Sequence, residues 1–231
     1  MKKRIVCLAN SWKNHGRCVA GVDLDTGKWI RPVNPGGAKL YKSQIKNQFG
    51  NQPQVLDIIN IPLKEKEPLY YQPENYIIDS ESEWQLEGRY EFDRLADLSC
   101  SGNDICIECN FFDENSDSIF TDNFMFLECK DSLSLIKPKE LKIKKRKRTK
   151  YGPQIRGEFL FGDKNYDLAV TDDKFKSPFY GRNSRLNEYG YYKLDTDEIY
   201  LTISLGEELN EKHYKLVAAV IVDGDYNFRK L

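Results

Sequence analysis

The sequence predicts a mainly β protein built of small barrels, and three observations carry that expectation. Strand-like runs of alternating or β-branched residues are short; Gly, Pro, Asn and Asp punctuate them; and segments with helical periodicity are few. The chain has 231 residues, 40% hydrophobic and 13% aromatic, enough for one large or two small folded domains and too aromatic for a disordered chain.

Arg4 to Ala9 is the first expected strand, and Arg17 to Leu24 alternates into a second. Asp25-Thr26-Gly27 is a turn into a third, Lys28 to Val33, stopped by Pro32 and Pro35-Gly36-Gly37. Together these make a meander. Val55 to Leu63 is apolar enough for a central strand, with Asn75 to Ile78 and Phe124 to Cys129 as further strands. Leu40 to Lys46 and Tyr90 to Leu98 have helical patterns, and residues 99–118 are polar, acidic loop. The second half repeats the style at Leu133 to Ile136, Leu141 to Arg148, Gly157 to Phe161, Tyr166 to Thr171, Ile199 to Leu205 and Tyr214 to Val222. Six strands suit one small barrel, and Pro138 is the expected junction, giving units 1–138, with an acidic insertion, and 139–231. No internal repeat is evident.

The longest apolar run, Leu216 to Val222, is far short of the roughly twenty residues of a membrane-spanning helix. The basic start Met1 to Arg4 is followed by too short an apolar stretch for a secretory signal, so the expected compartment is the cytoplasm. The six cysteines, at 7, 18, 100, 106, 109 and 129, are then not expected to form a disulfide framework, and Cys7 and Cys18 are expected to be ordinary buried thiols. Cys106-Ile-Glu-Cys109 with Cys100 and Cys129 offers four thiolates to a zinc, but the second pair lacks ligand spacing.

A formal net charge of −1 conceals an uneven distribution: +8 over residues 1–50, −13 over 51–138 and +4 over 139–231. A polyanion would meet basic surface at both ends and be repelled by the middle, whereas a basic protein partner would dock on the acidic segment, for instance at Glu81, Glu83 and Glu87.

Catalytic motifs are missing. Neither His15, in a polar turn, nor His213, before an apolar strand, stands in a nucleophile pattern, and there is no Walker A, G-x-G-x-x-G, G-x-S-x-G or H-E-x-x-H. The one enzymatic alternative is a metal-dependent nuclease or nucleotide-processing site on Asp167, Asp172 or Asp173, since paired carboxylates hold Mg²⁺.

Three segments combine cations with flat rings, the pairing that neutralises phosphates and stacks bases. The first is Lys13 and Arg17 with Trp29 and Arg31, the last two sharing one strand face. The second is the basic run ending at Tyr151: as a strand it aligns Lys142, Lys144, Arg146, Arg148 and Lys150 on one face over roughly 25–30 Å. A lysine-guarded edge strand is the competing explanation. The third is the long loop carrying Arg182, Arg185, Tyr189, Tyr191 and Tyr192.

Several blocks in order resemble the bacterial dual OB domain-containing proteins. They are Cys7-Leu8-Ala9-Asn10-Ser11, Gly16 to Gly21, Trp29-Ile30-Arg31-Pro32-Val33, Gln72 to Tyr76, Asp131 to Ile136, Tyr166 to Asp172, Ser204-Leu205-Gly206-Glu207 and Tyr214 to Ile221. The resemblance implies two OB-like barrels and nucleic-acid recognition; it supplies no catalytic residue. The combined expectation is a non-catalytic binder of single-stranded or structured RNA or DNA, needing no cofactor or metal. The other alternative is an adaptor or small-nucleotide sensor in a bacterial defence system.

Overall fold

Alternating apolar residues create the strands, and the strands close into two rings. A computed structural model describes residues 1–13, 16–100, 117–124, 131–148, 152–181 and 185–231. Among these, one sheet contains β1 (Lys2–Lys13), β2 (Gly16–Asp23), β3 (Trp29–Val33), β4 (Asp57–Lys66), β5 (Asn75–Ile78) and β6 (Gln85–Arg89) in the order β1-β2-β3-β5-β4-β6. β1 pairs with β2 along most of its length and with β4 at its start, which closes five strands into a barrel; β3 and β5 run parallel. This is the Greek-key arrangement of an OB barrel. At the β1–β2 crossing Gly21 faces Cys7, and a Cβ there would come within 2.1 Å of the Val6 carbonyl oxygen, so only glycine fits.

The second sheet contains β7 (Ser118–Phe120), β8 (Leu133–Ile136), β9 (Glu140–Arg146), β10 (Gln154–Phe161), β11 (Lys164–Val170), β12 (Gly190–Leu194), β13 (Ile199–Glu208), β14 (Lys212–Val222) and β15 (Phe228–Lys230). Its path is β15-β12-β9-β10-β11-β14-β13-β8, with β7 on β14. β11 and β14 are parallel, as β3 and β5 are. Because β8 continues through residues 137–139 into β9, the chain itself closes the ring: β8 and β9 together do what β1 does alone, one part pairing β13 and the other β10. Pro138, which has no N–H to give a ladder, sits at the break. Two short helices, α1 (Thr121–Phe124) and α2 (Asp173–Lys176), complete the pattern.

The expected strands therefore form, with corrections. β7 and β8 precede Pro138 yet pair into the second sheet, so the change of sheet falls between Arg89 and Ser118. Neither expected helix is α-helical. Leu40 bridges Arg17, and the Gln44 side chain accepts the Tyr41 N–H, making turns of residues 41–45, while Phe92–Leu98 is a 3-10 helix. The expected strand Phe124 to Cys129 begins on the last residue of α1, and 125–129 lie outside the described residues, as does most of the loop expected over 99–118. Cys100 is disulfide-bonded, against the expectation that disulfides are absent, while Cys7 and Cys18 are free thiols as expected. Cys106, Cys109 and Cys129 lie outside the described residues. No helix among the described residues is long and apolar enough to cross a membrane.

Each barrel has its own interior, and a third apolar cluster joins them. Ile5, Cys7, Val19 and Ile30 point into the first barrel; their neighbours Val6, Leu8, Ala20 and Val22 point out, onto Leu133, Leu135, Tyr200, Ala219 and Ile221 of the second. The outer face of β1 and β2 is thus buried against the other barrel, and half-buried Trp29 packs on the same cluster. Polar contacts cross the joint too. Thr202 Oγ1 donates to the Leu8 carbonyl at 2.6 Å and Gln72 Nε2 to the Leu205 carbonyl at 3.2 Å. At the centre Arg31 pairs with Glu74 at 2.8 Å, both almost fully buried, and Ser132 and Ser204 of the second barrel accept from the same guanidinium. Such an ion pair is retained only where hydrogen bonds satisfy its remaining atoms, as here.

Candidate functional site

An OB barrel ordinarily presents its second and third strands, with the flanking loops, to a ligand. In the first barrel those strands are β2 and β3, and the joint covers their outer face. In the second they are β10 and β11, flanked by the segment after β9 and by the β13–β14 hairpin. A cavity of about 560 Å³ opens there, between the barrels. Trp12 at the end of β1 forms one wall; Arg146, Arg148, Gln154 and Arg156 form the other; Gly206 to Leu209 close the side.

Alternation along β9 decides which cations reach it. Leu141, Ile143 and Lys145 point inward, whereas Lys142, Lys144 and Arg146 point outward, as the sequence pattern predicts. Their surroundings differ. Lys142 lies at the far end of the strand, away from the cavity between the barrels. Lys144 pairs with Glu158 at 2.6 Å and stands 5.3 Å from the centre of the Tyr191 ring, whose hydroxyl also donates to Glu158. The hydrogen bond to Glu158 holds the Lys144 ammonium above its ordinary pKa. Arg146 donates to Gln154 at 2.8 Å, and Arg146 and exposed Arg148 line the cavity.

On the opposite wall Trp12 is 40% exposed, enough to offer a ring to a ligand. The Arg17 guanidinium carbon lies 5.8 Å and Lys42 Nζ 5.5 Å from its ring centre. Arg17 is also a tie between barrels: it donates to Asp173 at 2.7 Å and lines a second cavity of about 360 Å³.

Other expected contacts are placed differently. Arg31 lines the floor of the main cavity but is 3% exposed and held by Glu74, which makes it a clasp between barrels instead of a surface cation. Trp29 belongs to the shared core. Tyr192 is fully buried, edge-on to Phe179 with its hydroxyl on the Glu188 carbonyl, so it has no face for a base; Tyr189 and Tyr191 beside it are exposed. Lys150, Tyr151 and Arg182 lie outside the described residues, as do the side chains of Lys13 and Arg185.

The carboxylates of the nuclease alternative are each committed to structure. Asp172 caps α2 by accepting from Phe175 N at 3.0 Å and also accepts from Val220 N at 3.1 Å; burial nevertheless pushes its carboxyl above the ordinary range. Asp173 is paired with Arg17, and Asp167 with Arg156. Among the described residues no three His, Cys, Asp or Glu side chains cluster as metal ligands.

Sequence reading missed Lys42 because its stretch was assigned to a helix, and Arg156 because the strand was started three residues late, at Gly157 in place of Gln154. It gave Lys145, between two residues of the outward row, no role. The Lys145 ammonium is in fact buried and donates to the carbonyls of Phe179, Leu186 and Asn187 at 2.6, 3.1 and 3.0 Å.

Compared with known proteins, residues 3–220 match the family model described as the dual OB-containing domain. No curated protein and no solved structure matches the chain.

Proposed function

This chain belongs to the dual OB-containing domain family, and from that premise we propose that it is a non-catalytic binder of single-stranded or structured nucleic acid. The ligand lies on the second barrel at the seam with the first. One observation carries the reading: exposed Trp12, with Arg17 and Lys42 against its ring, lines the same cavity as Arg146 and Arg148, placed where an OB barrel takes its ligand. A ring between cations is the arrangement that holds a base by stacking and its phosphates by charge. Tyr189 and Tyr191, exposed beside the basic strand, extend the same chemistry along the second barrel.

Fluorescence anisotropy with labelled single- and double-stranded RNA and DNA, at several salt concentrations, tests the proposal. Trp12→Ala is expected to weaken binding by about 10- to 100-fold, the usual loss for one stacking platform. Affinity unchanged by Trp12→Ala and by Arg148→Glu would remove the seam as the site. Intact strands after incubation with Mg²⁺ or Mn²⁺ are the expected outcome for a binding protein, and time-dependent products would overturn the non-catalytic part.

A further inference from the structure

We propose that the seam cavity is a pocket for one unpaired base, and that guanine is the base it fits. The inference rests on the nucleic-acid reading and names which part of the ligand the cavity holds. The rim is exposed, at Trp12, Arg146 and Arg148 and again at Glu208 and Leu209, and the base is the joint itself, where Arg31, Gln72 and Ser204 are 3%, 2% and 7% exposed. At about 560 Å³ the cavity falls within the range of small-ligand pockets, room for roughly one nucleotide and not for a run of them. The polymer backbone stays at the mouth on Arg148 while one base turns inward beside Arg146. Exposed Lys42, on a flexible stem, can exchange its place at the Trp12 ring with that base.

The identity of the base follows from the rest of the lining. Glu207 and Glu208 line the same cavity as Arg146 and Arg148, with Asp117, which is paired with Arg156 at 2.8 Å. A carboxylate accepts only, and a guanidinium donates only. Guanine alone presents two adjacent donors, N1–H and the N2 amine, to a carboxylate, and two adjacent acceptors, O6 and N7, to an arginine. Uracil offers a single N–H flanked by two carbonyl oxygens, which carboxylates repel; adenine and cytosine each offer one amine beside a ring acceptor.

The test titrates the full chain with GMP, AMP, CMP and UMP, reading indole quenching, and in parallel with a labelled oligouridine 12-mer with and without one central guanosine. GMP is expected to bind about tenfold or more tighter than UMP, the discrimination of one good bidentate pair. The single guanosine is expected to tighten the 12-mer by a similar factor. Glu207→Gln with Glu208→Gln is expected to bring the GMP-to-UMP ratio towards one. If the 12-mer binds but guanosine adds nothing and GMP and UMP are equal, the pocket proposal falls while the polymer reading stands. If GMP binds selectively and no polymer binds, the pocket survives as a mononucleotide site and the polymer reading falls. If nothing binds, both fall.

Discussion

Removing Glu74 leaves the Arg31 guanidinium buried without its counter-charge. In Glu74→Ala, Arg31 Nε loses an acceptor at 2.8 Å, Ser132 Oγ loses one at 2.5 Å and Ser132 N one at 3.3 Å, all in a site almost closed to solvent. Breaking a buried pair by deleting one partner costs about 3–5 kcal/mol, against a total stability of about 5–15 kcal/mol for a typical protein. With a urea slope near 3 kcal/mol/M, the upper end for a small protein, the unfolding midpoint should fall by roughly 1–2 M. Because the cluster around Leu8, Ala219 and Tyr200 is common to both barrels, the transition should remain single when followed by both tryptophan fluorescence and far-ultraviolet circular dichroism. Replacing both members, Arg31→Met with Glu74→Leu, should recover most of the loss, since apolar residues of similar volume substitute for a buried ion pair at little cost. A loss under about 1 kcal/mol, or a double variant no better than the single, would refute the clasp.

The Arg146→Gln, Arg148→Gln variant should lower the slope of log affinity against log salt by about 1.4, two phosphates at about 0.7 each for a single strand, in anisotropy titrations. Lys145→Met, one position away but facing inward, should leave that slope unchanged and cost about 1.5–3 kcal/mol in urea unfolding, because three backbone carbonyls lose a charged donor. Burial pushes the Asp23 carboxyl up, but hydrogen bonds from Lys3, Thr26 and the Asp25 N–H outweigh it and hold it below its ordinary 3.8. A depressed carboxylate stabilises the fold above its unfolded pKa and loses that contribution as pH falls through its folded one. Wild type should therefore exceed Asp23→Asn by about 1–3 kcal/mol at pH 7, with the gap closing below pH 3.8 in acid-titrated denaturation curves.

Local pattern made the strands and the facing of β9 legible: every second residue from Lys142 to Arg146 is outward because the strand period is two. The same pattern could not say which outward cations are free for a ligand. Glu158 neutralises Lys144 from a neighbouring strand, and Glu74 captures Arg31 from 43 residues away. Tyr191 and Tyr192 are adjacent in a segment of rings and cations, yet one is exposed and the other is core, a distinction set by β12 pairing with β9. The closure of the second ring was hidden by Pro138, which reads as a domain boundary but is a break within one barrel strand. The joint left a trace that was present without being interpretable: Cys18 to Val22 has no polar alternation, as befits a strand covered on both faces. Nothing in that run identifies the covering surface.

On the proposed function, the covered face sets the number of ligands expected per chain. Two independent barrels would offer two strand faces, and a dual architecture invites the expectation of two equivalents of a short oligonucleotide. Here Ala20 and Val22 of the first barrel's second strand are packed on Leu133, Leu135, Ala219 and Ile221, and exposing them would return that apolar area to water and break the Arg31 clasp at once. No ligand contact with a single short strand offsets both. In the proposed site the first barrel contributes Trp12, with Arg17 and Lys42 against its ring, in place of a site of its own. Calorimetric titration with a short oligonucleotide, checked by native mass spectrometry, should therefore give one equivalent per chain; two equal equivalents would mean that the joint opens and that the seam is not the site.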